Sequence, residues 1–204
     1  MAVVERVEPD KRHKNRVIAY FDDRGSLSMT PSQVKKYGIA EGAELTGETY
    51  RDMWEEIGRG RARNSAAAML AARPMSKSAL RRKLEQKGYT DEINDDTVDF
   101  FERAGAVDDT AYAEGLSRSL ARRGYGPERI RRAMKEKGLD KELIERNVDE
   151  LEQDGFDTSV DKFIASRVKP PLDMAQRKRI TDALARRGFG WDDIERGWRK
   201  SETN

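Results

Sequence analysis

The stretch Leu80-Arg81-Arg82-Lys83-Leu84-Glu85-Gln86-Lys87-Gly88-Tyr89 returns as Ile130 to Leu139 and again as Ile180 to Phe189, with the glycine displaced by 50 residues at each step. Leu80, Ile130 and Ile180 share one register position, and Leu84, Met134 and Leu184 share another. Downstream, Val98 pairs with Val148, Phe101 with Leu151 and Gly105 with Gly155. Agreement at so many positions in one register marks an internal repeat. The apolar pair at i and i+4 lies on one helical face, and a glycine four residues later can adopt the left-handed conformation that closes a helix. Tyr89, Leu139 or Phe189 then folds back onto Leu84, Met134 or Leu184.

Helix starts are also readable. Ser76, Gly126-Pro127 and Asp173, the last just after Pro170-Pro171, are N-terminal signals for the helix before each glycine, and Asp140 caps the one after Gly138. Each unit reads as three helices: 65–73, 76–87 and 91–104; 109–123, 127–137 and 141–154; 158–168, 174–187 and 191–200. The N-terminal part differs. Val17 to Phe21, the turn residues Asp22-Asp23-Arg24-Gly25, and Leu27 with Met29 predict a β-hairpin. Thr30-Pro31 opens a short helix that Gly38 ends, and a further helix spans about 50–57. Gly58-Arg59-Gly60-Arg61 reads as a hinge or as the continuation of a helix. The expected fold is mainly α: an elongated array of tandem three-helix repeats behind a small segment containing a β-hairpin. The expected boundaries are 1–62 for that extension and 63–107, 108–156 and 157–204 for the repeats.

Of the 204 residues, 36% are hydrophobic and 38% charged, so surface is favoured over core. With no cysteine, a disulfide framework, a thiol nucleophile and Cys-based zinc sites are excluded. His13 is the single histidine, which leaves nothing for a Ser/His/Asp triad or a multi-His metal site. The sequence has neither a P-loop nor a GxGxxG turn after a strand, so no cofactor and no metal are expected. No stretch approaches a membrane span and no secretory signal opens the chain, so a soluble, cytoplasmic protein is expected, without membrane contact. The acidic pairs Asp95-Asp96, Asp108-Asp109 and Asp192-Asp193 read as helix-start groups in preference to catalytic carboxylates. Trp54, Trp191, Trp198, Tyr112, Tyr125 and Phe189 read as core in preference to stacking platforms. Ser119 to Lys137 has the outline of a helix-turn-helix, although the threefold repetition argues for an array.

Net charge is only +2, but its distribution is uneven. Arg118 to Lys137 holds eight basic and two acidic residues, and Gly138 to Asp157 inverts this to two and eight. Arg73 to Gly88 has six basic residues and one acidic, and Tyr89 to Asp109 has one and eight. Arg177, Lys178, Arg179, Arg186 and Arg187 repeat the basic half. If the units stack alike, their second helices form a broken positive stripe suited to a polymer groove, either nucleic acid or a protein filament. The candidate partner contacts on that stripe are Arg81, Arg82, Arg122, Arg123, Arg129, Arg132, Arg186 and Arg187.

Arg73-Pro74-Met75-Ser76, Leu80 to Leu84, Lys87-Gly88-Tyr89, Asp108-Asp109-Thr110-Ala111-Tyr112-Ala113, Arg122-Arg123-Gly124-Tyr125-Gly126, Ile130 and Lys137-Gly138 together resemble the RecX family of bacterial recombinase regulators. The resemblance spans Ala66 to Lys200, and Asn15 to Gly42 is similar to the extension of some members. It implies a non-enzymatic protein that binds the RecA recombinase. Such a protein lies along the groove of the RecA filament on DNA and restrains ATP hydrolysis, strand exchange and filament growth. A monomer is expected. The alternative is a helical array that binds single- or double-stranded DNA directly. The near-neutral charge favours the protein filament, with weak DNA binding still compatible.

Overall fold

The computed structural model describes residues 1–11, 13–22, 25–153, 156–169 and 173–203. Of the expected features, Gly155, Pro170, Pro171 and the turn residues Asp23 and Arg24 lie outside them. The described chain is mainly helical and divides into two units, Met1–Met69 with Leu84–Asp99 and Leu70–Lys83 with Phe100–Asn204.

In the first unit, β1 (Ala2–Pro9), β2 (Val17–Phe21), β3 (Gly25–Met29) and β4 (Glu44–Leu45) form an antiparallel sheet in the order β3-β2-β1-β4. The expected hairpin is β2-β3, with Val17 opposite Met29 and Ala19 opposite Leu27. The strand β1, which the sequence reading did not anticipate, pairs Val4 with Phe21 and Val7 with Ala19. One sheet face, comprising Val4, Ala19, Phe21, Leu27 and Met29, is buried with Ile39, Leu45, Met53 and Ile57. The short helix α1 (Pro31–Tyr37) starts in a Thr30/Gln33 capping box and ends at Gly38, with φ 61°.

The next helix, α2 (Gly47–Ala72), runs unbroken through Gly58-Arg59-Gly60-Arg61, so the hinge expectation fails and the helical alternative holds. Met53, Ile57, Ala62 and Ala66 explain the continuity, because they keep one buried stripe on both sides of the glycines. Lys36 pairs with Glu56, and Tyr37 Oη donates to the same carboxylate at 2.8 Å, which ties α1 to α2. The Lys36 bond, then the Tyr37 bond, holds the Glu56 carboxyl below its ordinary range.

The helices of the repeats are α3 (Lys77–Glu85), α4 (Asp91–Arg103), α5 (Asp109–Arg122), α6 (Pro127–Glu136), α7 (Lys141–Gln153), α8 (Phe156–Ala165), α9 (Met174–Arg186) and α10 (Trp191–Thr203). From α4 onward all but α8 begin at the expected residue; α8 begins two residues earlier. The recurring apolar positions are core: Leu80, Leu84, Ile130, Met134 and Leu184 are 0% exposed and Ile180 4%. In the second unit Ile130, Met134, Ile180 and Leu184 join Val148, Ile164 and Trp198, whose Nε1 donates to Thr181 Oγ1 at 3.0 Å. Truncating Met134 to alanine is therefore expected to cost about 2–5 kcal/mol in urea unfolding. The same change at Met174, which is 81% exposed, should leave the midpoint in place.

Candidate partner-binding site

All three repeated helix ends have the geometry read from sequence. Tyr89, Leu139 and Phe189 donate their N–H to the Leu84, Met134 and Leu184 carbonyls at 3.5, 3.3 and 3.2 Å, around glycines with φ of 83°, 71° and 88°. Two of these ends do more than stop a helix. The first turn of α6 lacks a side-chain cap, because Gly126 occupies the N-cap and Pro127 follows. Its spare N–H groups point at the end of α9. Gly126 N donates to the Arg187 carbonyl at 2.8 Å, and Glu128 N to the Gly188 carbonyl at 3.1 Å. The positive end of one helix dipole thus meets the negative end of another, and orphan groups on both sides are satisfied.

Only glycines allow this approach. A Cβ on Gly126 would lie 2.5 Å from the Gly188 oxygen, and one on Gly188 would lie 2.5 Å from Arg129 N. Side chains lock the joint. Arg187 Nη1 donates to the Arg123 and Gly124 carbonyls at 3.3 and 3.0 Å, and Arg129 Nη1 to the Arg186 carbonyl at 3.4 Å. A second joint has the same logic. Ser76, at the N-terminus of α3, donates its hydroxyl to the Lys137 carbonyl at the end of α6 and caps Ala79 N at 3.2 Å. Lys77 N is satisfied by Asp109 Oδ1 at 2.8 Å.

The α9–α6 joint floors a cleft of about 660 Å³ whose walls carry Arg123, Tyr125, Arg129, Arg132, Glu136 and Arg186. The guanidinium carbons of Arg123 and Arg129 lie 5.1 and 4.2 Å from the centre of the Tyr125 ring, which fixes the two forks over an aromatic face. Arg123, Arg129, Arg132 and Arg186 are all exposed. Held on helices, they present planar donors suited to carboxylates or phosphates.

The eight candidate arginines do not all meet. Arg187 is turned inward onto the joint, 4.8 Å from the Phe163 ring. Arg122 is exposed at the end of α5 outside the cleft walls, and Arg81 and Arg82 sit on α3, half-buried and exposed respectively. Arg131, beside Arg132 in sequence, faces α7 instead and bonds Glu145 and Glu128 at 2.8 Å, with Glu152 at 3.5 Å. Burial alone would lower its pKa; the Glu145 bond and the neighbouring carboxylates carry it above the ordinary value. Tyr125 and Glu136 complete the cleft but were absent from the charge-based set. The Tyr125 ring between two arginines was the available signal.

Acidic and aromatic candidates have other occupations. Asp108 caps Thr110 N and Ala111 N at 2.8 and 3.0 Å, and Asp193 accepts from Gly190 N at 3.3 Å. Asp95-Asp96 corrects the helix-start reading: the pair falls in the second turn of α4, where Asp96 bonds Arg63 at 2.9 Å. Trp198 and Phe189 are core as expected, Trp54, Tyr112 and Tyr125 are half-buried, and Trp191 departs from that reading at 65% exposure. The helix pair 119–137 does not offer a recognition helix in the usual way, because the first turn of α6 is covered by residues 187–188. Among the described residues no group of three His, Cys, Asp or Glu is placed to hold a metal ion. No helix there is long and apolar enough to cross a membrane.

Known proteins match this arrangement. Family models described as RecX, first three-helix domain, and RecX, second three-helix domain, match residues 62–101 and 108–146. A regulatory protein RecX from Stenotrophomonas maltophilia (strain K279a) is 36% identical over 136 residues, covering 66% of this chain and 83% of the relative. The protein of that name from Clostridioides difficile (strain 630) is 24% identical over 202 residues, covering 96% and 94%. A crystal structure of regulatory protein RecX has a TM-score of 0.64 at 19% identity, covering 96% of this chain and 98% of that one. The crystal structure of RecX from Lactobacillus salivarius has a TM-score of 0.65 at 16% identity, covering 72% and 98%.

Proposed function

The chain belongs to the RecX family of regulatory proteins, and on that premise we propose that it is a non-catalytic negative regulator of RecA. In this reading it binds as a monomer along the RecA–DNA filament in the cytoplasm and restrains ATP hydrolysis, strand exchange and filament extension. The observation that carries the reading is the exposed arginine cleft built on a rigid helix joint, with no competing catalytic constellation among the described residues. We assign its contacts to Arg123, Arg129, Arg132 and Arg186, with Arg81, Arg82 and Arg122 as outlying members of the stripe and Arg187 as the residue that holds the joint. Many modest contacts spread over one chain add through effective concentration. A molecule wedged between protomers opposes the conformational cycling that nucleotide turnover needs.

Trp191 and the Tyr125-backed arginines favour one second reading, direct binding of single-stranded DNA by charge and stacking. One experiment separates the two. RecA hydrolysis of ATP on single-stranded DNA is followed as the protein is added at substoichiometric ratio, beside a titration of the same DNA without RecA. Strong inhibition with little bare-DNA binding is the expected result. Unchanged hydrolysis with tight, steeply salt-dependent DNA binding would replace the regulator by the DNA-binding array.

A further inference from the structure

Of the three glycine-closed helix ends, two receive a helix N-terminus and one does not. The end of α9 takes α6, and the end of α6 takes α3. At the end of α3, Lys87 and Gly88 are exposed, and a Cβ on Gly88 would meet nothing within 4 Å. Among the described residues no donor reaches the Lys87 or Gly88 carbonyl. Beside this end runs a groove of about 460 Å³ lined by Leu27, Trp54, Gly58, Arg61, Tyr89 and Ile93. Trp54 Nε1 is buried there without a hydrogen-bond partner, a costly state for a donor.

We propose that the Gly88 end is a socket for the N-terminal turn of a helix on the partner protein, a turn led by a small residue with spare N–H groups. Its carbonyls offer the negative end of a helix dipole to the positive end of the incoming helix, as at the two filled joints. The groove offers apolar wall for the first side chains of that helix. A second copy of this chain is the poorer occupant. The helix that would extend the series, α9, is already capped by its own Asp173, which accepts from Gln176 N at 2.6 Å. The N-termini of α1, α5 and α7 are likewise capped by Thr30, Asp108 and Asp140.

The occupant rests on the reading above, in which the partner is the recombinase filament. Because the chain has no cysteine, Lys87→Cys gives a single labelling site on an exposed position. The variant is tested with bimane and with a polyethylene glycol adduct, against the same adducts on Lys162→Cys, an exposed position on α8. On adding RecA–single-stranded-DNA filaments, bimane at position 87 should change emission saturably. The bulky adduct there should raise the half-inhibiting concentration by at least about tenfold, with the position 162 adduct within about threefold of unmodified protein. If unmodified protein inhibits hydrolysis and the position 87 adduct inhibits equally well, the socket is overturned and the regulator stands. If unmodified protein neither inhibits nor binds the filament, the regulator reading falls and takes this occupant with it.

Discussion

Gly188→Ala is expected to destabilise the second unit by about 2–4 kcal/mol, well above the effect of the same substitution at Gly88. Both glycines are left-handed, with φ of 88° and 83°, so both variants carry the strain of a side chain in that region, about 1–2 kcal/mol. Only at Gly188 does the new methyl group also meet backbone, 2.5 Å from Arg129 N and 2.7 Å from Arg129 Cβ. The α9 and α6 termini must separate, and the two bonds to Gly126 N and Glu128 N are lost at about 1 kcal/mol each. Urea unfolding reads the difference, with Trp198 reporting on the second unit and Trp54 on the first. Equal losses for the two variants would show that the joint contributes nothing beyond local strain.

The largest functional effect is expected from Arg123, Arg129, Arg132 and Arg186 changed together to alanine. Four charge-assisted contacts at roughly 1 kcal/mol or more each correspond to a rise of at least about a hundredfold in the concentration that half-inhibits RecA hydrolysis. Stability should change little, because these guanidiniums are solvent-exposed. Lysine at the same four positions should recover only part of the inhibition, since it keeps charge and loses the planar fork. Changing Arg131 to alanine should do the reverse, lowering stability through its three glutamate partners while sparing inhibition. Full inhibition by the folded quadruple variant would remove the cleft from the interface.

Much of the helical part was legible because its signals are local. A helix end written by an apolar i, i+4 pair, a glycine and a returning apolar residue needs only ten consecutive positions, and it occurs three times. The joints were not legible. The contact of Gly126 with Arg187 and Gly188 is backbone to backbone across some sixty residues, and a glycine that ends a helix looks the same whether or not another helix rests on it. The charge stripe was visible as composition, yet facing decided its use. Arg131 and Arg132 are neighbours in sequence and point to different partners, α7 and the cleft. β1 escaped because Glu5, Arg6 and Glu8 dilute its alternation and the register shifts between Val4 and Arg6. The helix across Gly58 to Arg61 escaped because Gly58 is needed for packing: a Cβ there would lie 2.7 Å from Ile93 Cδ1, a tertiary reason that overrides the local cost of glycine.

The two filled joints use different plugs in the same kind of socket, a bare Gly-Pro turn in one and a serine hydroxyl in the other. The receiving end is therefore generic, made of main chain, and the entering end is free to vary in sequence. A coupling of that kind lets the number of units change by duplication or loss without redesigning those that remain. Chain length in such proteins can then drift to match the spacing of whatever they are laid against, while each unit keeps its own core.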